Sequence, residues 1–267
     1  MSTTSSTAAP DLSGRGAPPL GGFNLTALRL EVRRLTRNPR TVIVSIVAPV
    51  VFFLLFGLNR AYDSLPIGHG NYAAFVLISL ALYGAVIATS FSGAMVSIER
   101  SQGWSRQLRL TPLSPVAYVI IKILTALVLG FCSVAAVNAV GIITHKASMP
   151  AGLWIGTMVS VWIGSLLFAA FGLFLGYLLP AENVLQLLGL ILALLSFAGG
   201  LFIPVSQFAV GVRDVAKWTP LYGLNQLVHT PLLGTGVDWT WVVNVVAWLI
   251  IFAGGAVWRM RKDTARV

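Results

Sequence analysis

Few residues in this chain have a type and spacing that could do chemistry. The three histidines, His69, His145 and His229, fall in separate segments, and none stands in the His-Glu-x-x-His arrangement that binds zinc from one helix face. All three are expected in outer loops, with no metal. A Gly-x-Ser-x-Gly nucleophile elbow is absent. So is a Gly-x-x-x-x-Gly-Lys phosphate loop, and the sequence contains no Gly-Lys pair at all. The single cysteine, Cys132, excludes a disulfide framework and reads as a small packing residue. Glu99 and Glu182 stand at the ends of apolar runs, not inside them, where proton-driven carriers place Asp, Glu or His relays. The chain is thus expected not to be an enzyme, to hold no cofactor of its own, and not to be its own motor.

The elements around these residues are apolar. Of 267 residues, 57% are hydrophobic and 10% charged, against roughly 25% charged in an average soluble domain. A helix must run for about 20 apolar residues to cross a bilayer core. Uncharged or nearly uncharged runs predict six crossings, at about 41–58, 72–98, 116–144, 153–179, 184–203 and 239–258. Pro49 interrupts the first. Lys122, the one charge inside the third, is expected to snorkel to the interface along its long stem. The run from Asn183 to Val212 is too long for one helix, and Gly199, Gly200 and Pro204 are expected to end the fifth crossing near Ile203, with the following residues outside the lipid. Small residues recur every four positions in the fourth crossing, at Gly152, Gly156, Ser160 and Gly164, and again at Gly172 and Gly176. That interval allows close helix packing, within one subunit by default or against a second.

The formal charge of +10 would suggest a nucleic-acid surface in a soluble chain. With both termini cytoplasmic, only Arg60, Lys146, Arg213 and Lys217 fall on the outer side, leaving 14 of the 18 Lys and Arg inside. The excess then obeys the positive-inside rule, and no nucleic-acid partner is called for. Residues 1–22, rich in Ser, Thr, Pro and Gly, read as a disordered cytoplasmic tail, and 259–267 as a second tail. Residues 23–40 read as an amphipathic helix on the inner leaflet. Leu25, Leu28, Val32 and Leu35 share one face, while Arg29, Arg33 and Arg37 form a basic stripe beside it. The stripe fits anionic lipid, at about 1 kcal/mol per Lys or Arg near the surface, and fits a cytosolic partner equally.

Two segments carry a family resemblance. The first is Glu99-Arg100-Ser101-Gln102-Gly103-Trp104-Ser105-Arg106-Gln107-Leu108-Arg109-Leu110, followed by Thr111-Pro112-Leu113-Ser114-Pro115. The second is Gly199-Gly200-Leu201-Phe202-Ile203-Pro204, followed by Trp218-Thr219-Pro220-Leu221-Tyr222-Gly223-Leu224-Asn225. Together they resemble the inner signature loop and the outer motif of ABC-2 type permeases, the membrane subunits of ATP-binding-cassette exporters. Ser101 and the Trp104-Ser105-Arg106 run depart from the common Glu-Arg-Glu-x-Gly-Thr-Leu-Glu form and are similar to a bacterial drug-export and antibiotic-resistance branch.

The resemblance implies an all-α integral membrane fold like that of the G-type half-transporters, in a bacterial plasma membrane. It implies a second permease subunit, identical or different, and two nucleotide-binding subunits that hold ATP and Mg. Glu99, Arg100, Gly103, Trp104, Arg106 and Leu108 would form a coupling helix against the ATPase. Glu99 would pair with the stripe of Arg29, Arg33 and Arg37, or simply mark the membrane boundary. Leu201 and Phe202 match a plug above the substrate cavity, with Phe75, Phe91 and Phe197 as wall candidates; each phenylalanine also fits an ordinary lipid-facing or core position. Gly199 and Gly200 would permit a backbone break or close helix packing. The cargo implied is an amphiphilic small molecule, a drug or a lipid. A glycan permease and an ATP-independent secondary carrier are the alternatives.

Overall fold

The computed structural model describes residues 19–58, 63–103, 111 and 113–265, and these are mostly helical. In chain order, α1 is Leu25–Thr36, α2 Pro39–Gly57, α3 Tyr72–Ser101, α4 Pro115–Thr144, α5 Ala151–Leu178, α6 Val184–Ala198, α7 Val210–Ala216, α8 Pro220–Leu233 and α9 Trp239–Ala265. Five of them, α2, α3, α4, α5 and α9, are long and apolar enough to cross a membrane. The chain is a multi-pass membrane protein.

α3 is the central helix. Leu77, Ile78, Leu82 and Val86 are buried there against Val134 and Val137 of α4, Phe168 of α5, Leu188 and Leu192 of α6, and Leu221 and Val228 of α8. Small residues set the closest approaches. A Cβ on Gly172 of α5 would lie 2.1 Å from the Ser90 carbonyl oxygen, and one on Gly176 would lie 3.1 Å from Ala94 Cα. Gly164 meets Leu224 in the same way, beside a break in α5 at Ser165. Around Gly152 and Gly156 there is open space, and Ser160 is exposed. Packing within the subunit therefore accounts for only part of the small-residue pattern.

Several expectations are corrected. Pro49 does not interrupt α2, because wide π turns flank it at Ile43–Val47 and Phe53–Gly57. The Ser45 carbonyl, which gets no N–H from Pro49, accepts from Ser133 Oγ of α4 at 2.6 Å. α6 ends at Ala198, short of Ile203, because the chain turns at Gly200 with φ +78°. The carbonyls left over at Gly199 and Gly200 accept from Asn225 Nδ2 at 3.2 and 3.0 Å. α9 runs past Trp258 to Ala265, so residues 259–265 of the expected tail are helical, and Lys262 Nζ lies 4.0 Å from the Trp258 ring centroid. Pro19–Gly22 form a 3-10 turn that is part of the fold, with Gly21 O accepting from Ser114 N at 2.8 Å.

At the end of the bundle away from Glu99, Pro66–Ile67 pairs antiparallel with Gly70–Asn71. Gly68 turns this hairpin with φ +53°, and a Cβ there would lie 2.2 Å from Leu232 O.

Candidate functional site

α1 is shaped by its own sequence. Asn24 caps it by accepting from Thr26 N at 2.7 Å, and Leu35 anchors it by packing with Ala88 and Leu129. Glu31, one turn before Leu35, and Arg34, next to it, reach the ends of α3 and α4. Lys122 Nζ donates to Glu31 Oε1 and to Glu99 Oε1, each at 2.5 Å. Arg34 donates to Glu31 at 2.7 Å and also to Glu99 Oε1, while Tyr118 Oη donates to Glu99 Oε2.

Two carboxylates and two cations thus balance at one point where three helices meet. Glu99 is 3% exposed and Lys122 2%, whereas the Arg34 side chain is 42% exposed. Partial burial alone would lower the Arg34 guanidinium, but the hydrogen bond to Glu99 and the charges of Glu99 and Glu31 outweigh it and hold Arg34 above its ordinary value. Buried charges are tolerable only when paired and hydrogen-bonded in this way.

This geometry changes three expectations. Lys122 is buried in the protein and ends between two carboxylates, Glu31 and Glu99, partners that the expectation of snorkelling did not include. The basic partner of Glu99 on α1 is Arg34, not the stripe, and Arg29, Arg33 and Arg37 lie exposed. Glu99 and Arg100 belong to the last turn of α3, not to a separate helix. Arg100 Nη1 donates to the carbonyls of Gly176 and Tyr177 at 3.2 and 3.1 Å, where a cation suits the C-terminus of α5. Gly103 follows α3 in the left-handed region, φ +75°. Trp104, Arg106 and Leu108 lie outside the described residues. Glu31, Arg34, Tyr118 and Lys122 were missed as partners. The one available signal was Lys122 itself, since an ionisable residue within a span calls for a named partner.

The second group of expected residues lies towards the hairpin end. Phe202 meets Tyr83 of α3 edge-on with ring centroids 5.1 Å apart, and Phe197 lies 5.1 Å from Phe202. Phe52 of α2 continues the row, 6.4 Å from Tyr83. Phe197 and Phe202 are exposed and Leu201 is buried. Phe91 and Phe75 are not in the row: a Cβ on Gly189 would lie 3.9 Å from Phe91, and Phe75 lies 4.4 Å from His229. His229 is not in an outer loop. It is buried in α8, where Nδ1 bonds Asn225 O at 2.9 Å and Nε2 lies 3.1 Å from Ser79 Oγ. Among the described residues no three His, Cys, Asp or Glu gather as a metal site.

The architecture defines a class, the polytopic helical membrane proteins, and here a short N-terminal helix, α1, is tied to α3 and α4 through buried Glu99 and Lys122. The family profile described as ABC-2 type transporter matches residues 24–230, from the cap of α1 into α8. The chain belongs to that family. It is also 23% identical, over 236 residues, to the candidate transport permease YvfS of Bacillus subtilis (strain 168), covering 88% of this chain and 96% of that one. The family is one of permeases, which work with an ATP-binding subunit.

Proposed function

We propose that this chain is the membrane half of an ATP-driven exporter in a bacterial plasma membrane, moving an amphiphilic small molecule, drug or lipid outward. The observation that carries this reading is the cluster that Glu31 and Arg34 form around buried Glu99 and Lys122. It ties α1 and the adjoining ends of α3 and α4 into one body, and residues 104–110 lie between α3 and α4 in the sequence. An ATPase pressing on that body would move α3, the helix on which the core is packed.

In this reading two permease chains, identical or different, pair in the lipid, and two ATPase subunits bind ATP and Mg at the cytoplasmic face. Both termini of the chain lie on that face. α6 is the fifth of six crossings although its 15 residues rise only about 22 Å; the Gly199–Val205 loop completes the path. ATP binding closes the ATPases, and the bundles rock between inward-open and outward-open states. Glu99, Arg100, Gly103, Trp104, Arg106 and Leu108 transmit the motion, and exposed Arg29, Arg33 and Arg37 meet the ATPase or anionic lipid. Phe52, Tyr83, Phe197 and Phe202 offer an aromatic wall with one hydroxyl, suited to an amphiphile. Gly199 and Gly200 provide the turn that sets Leu201 and Phe202.

The test is co-expression and co-purification with an ATP-binding-cassette ATPase subunit, reconstitution in lipid, and measurement of ATP hydrolysis and transport together. Glu99→Ala and Gly103→Trp should uncouple hydrolysis from transport while the chain still inserts. Transport driven by a proton gradient without ATP would overturn the reading.

A further inference from the structure

The C-terminal end of α9 presents a face that nothing in the subunit covers. Ile250, Gly254, Trp258 and Lys262 recur every four residues and so lie on one side of the helix, and all four are exposed, Ile250 by 65% and Trp258 by 54%. A Cβ on Gly254 would meet nothing within 4 Å, so the stripe is open between Ile250 and Trp258. The packed side is another one, where Phe252 and Ala256 are buried against α5.

The charges on this face lack counter-ions. Lys262 Nζ stands 4.0 Å from the Trp258 ring centroid and the Arg259 guanidinium carbon 5.9 Å from it, so two cations share one indole. Among the described residues no carboxylate pairs with either. Arg259 Nε is buried and meets no acceptor among those residues. A helix C-terminus favours cations, but a screened donor without an acceptor is costly until a ligand supplies one. Packing fixes the level of the site. Ala256 lies in one cluster with Leu173 and Tyr177 of α5 and Val96 of α3, and the α5 crossing ends at Leu178. At about 1.5 Å per residue, Arg259 stands about 5 Å and Lys262 about 9 Å beyond Ala256 along α9. The polar layer on each side of a bilayer core is about 5–8 Å thick. The two cations therefore reach the level of lipid phosphates, while Ile250 and Gly254 stay beside acyl chains and Trp258 stands at the boundary, where an indole is at home.

We infer that Trp258, Arg259 and Lys262 form a binding site for one anionic phospholipid of the leaflet at the Glu99 end of the bundle. The headgroup phosphate bridges the two cations and accepts from Arg259 Nε. The glycerol backbone lies on the Trp258 ring, and an acyl chain follows the opening at Gly254 past Ile250. The two unpaired charges select the lipid, because a zwitterionic headgroup would bring a third cation to the same place.

Photo-crosslinking tests it. Benzoylphenylalanine replaces Val257, which is exposed next to Trp258, or Val243, which is exposed near the other end of α9, about 21 Å away along the helix. Each protein is reconstituted in vesicles of equal phosphatidylglycerol and phosphatidylcholine, and the lipid attached on irradiation is identified by mass spectrometry. A basic residue near the surface strengthens attraction to anionic lipid about fivefold. Position 257 should therefore prefer phosphatidylglycerol by about tenfold or more, while position 243 shows no preference. Lys262→Gln, at an exposed position that leaves the fold intact, should cut the preference about fivefold. Arg259→Gln with Lys262→Gln should abolish it, with lipid labelling at 243 kept as the sign of insertion. Equal labelling of the two lipids at 257, or a preference that survives the double substitution, would overturn the inference. Attachment of protein at 257 would also overturn it, because a second copy or another subunit would then cover the face. Both leaflets of these vesicles are alike, so the result is independent of which side the site faces and of the exporter reading.

Discussion

The buried ion cluster makes its sharpest prediction at Lys122. Lys122→Met keeps the stem and removes the charge, leaving Glu31 and Glu99 with Arg34 as the one cation of the four-charge set. Removing one partner of a buried pair costs about 3–5 kcal/mol, because the other charge stays buried and uncompensated. Here Arg34 and Tyr118 still hydrogen-bond Glu99, which places the expected cost at the lower end, about 3 kcal/mol or a hundredfold in the folded-to-unfolded ratio. Arg34→Met should cost only about 1 kcal/mol, since its side chain is 42% exposed and water screens it. Glu99→Gln leaves an excess cation, but Lys122→Met with Glu99→Gln restores neutrality with Glu31 and Arg34. The double variant should therefore cost no more than the worse single one, a coupling of about 2–3 kcal/mol. Reversible SDS titration in mixed micelles measures all four proteins. Single costs below about 1 kcal/mol that add to within about 0.5 kcal/mol would refute the reasoning, since that is how exposed, independent charges behave.

Three further outcomes follow from positions elsewhere. Gly172→Ala should lower stability by at least about 1–3 kcal/mol in the same titration, because the new methyl meets the Ser90 backbone at 2.1 Å; Gly156→Ala meets nothing and should be neutral or stabilising by up to about 1 kcal/mol. Gly200→Ala should cost about 1–2 kcal/mol through its positive φ and its clash with Val205, and transport assays should show a changed leak or substrate range, as they should for Phe202→Ala. Burial holds the His229 imidazole below its ordinary value, so its neutral form is the native one. Its stabilising contribution is complete above about pH 6.5 and is lost as pH falls below that. Melting temperature should therefore drop on acidification, and His229→Gln should flatten that arm; equal pH curves for both proteins would remove the claim.

The five long apolar helices were legible in the sequence because a bilayer imposes a length and a polarity that any window of residues reveals. The end of α6 was not, because the apolar run continues through Gly199 and Gly200 to Val212, and only the Asn225 amide, 25 residues further along, satisfies the carbonyls that let the chain turn. The site fared similarly. A helical wheel shows that Arg29, Arg33 and Arg37 align but not which face of α1 meets α3 and α4. Leu35 is what decides it, by packing with Ala88 and Leu129 and so turning Arg34 and Glu31 inward. In the sequence Lys122 stands as an isolated charge within an apolar run, because its partners are 91 and 23 residues away. The same charge, once two carboxylates are brought to it, ties α1 to the spans. The consequence reaches function: a helix held to the bundle only by Leu35 could slide under load, whereas one held by a neutral four-charge set must either move with α3 and α4 or expose buried charge. That is the property a lever needs if force applied at the surface is to reach the core.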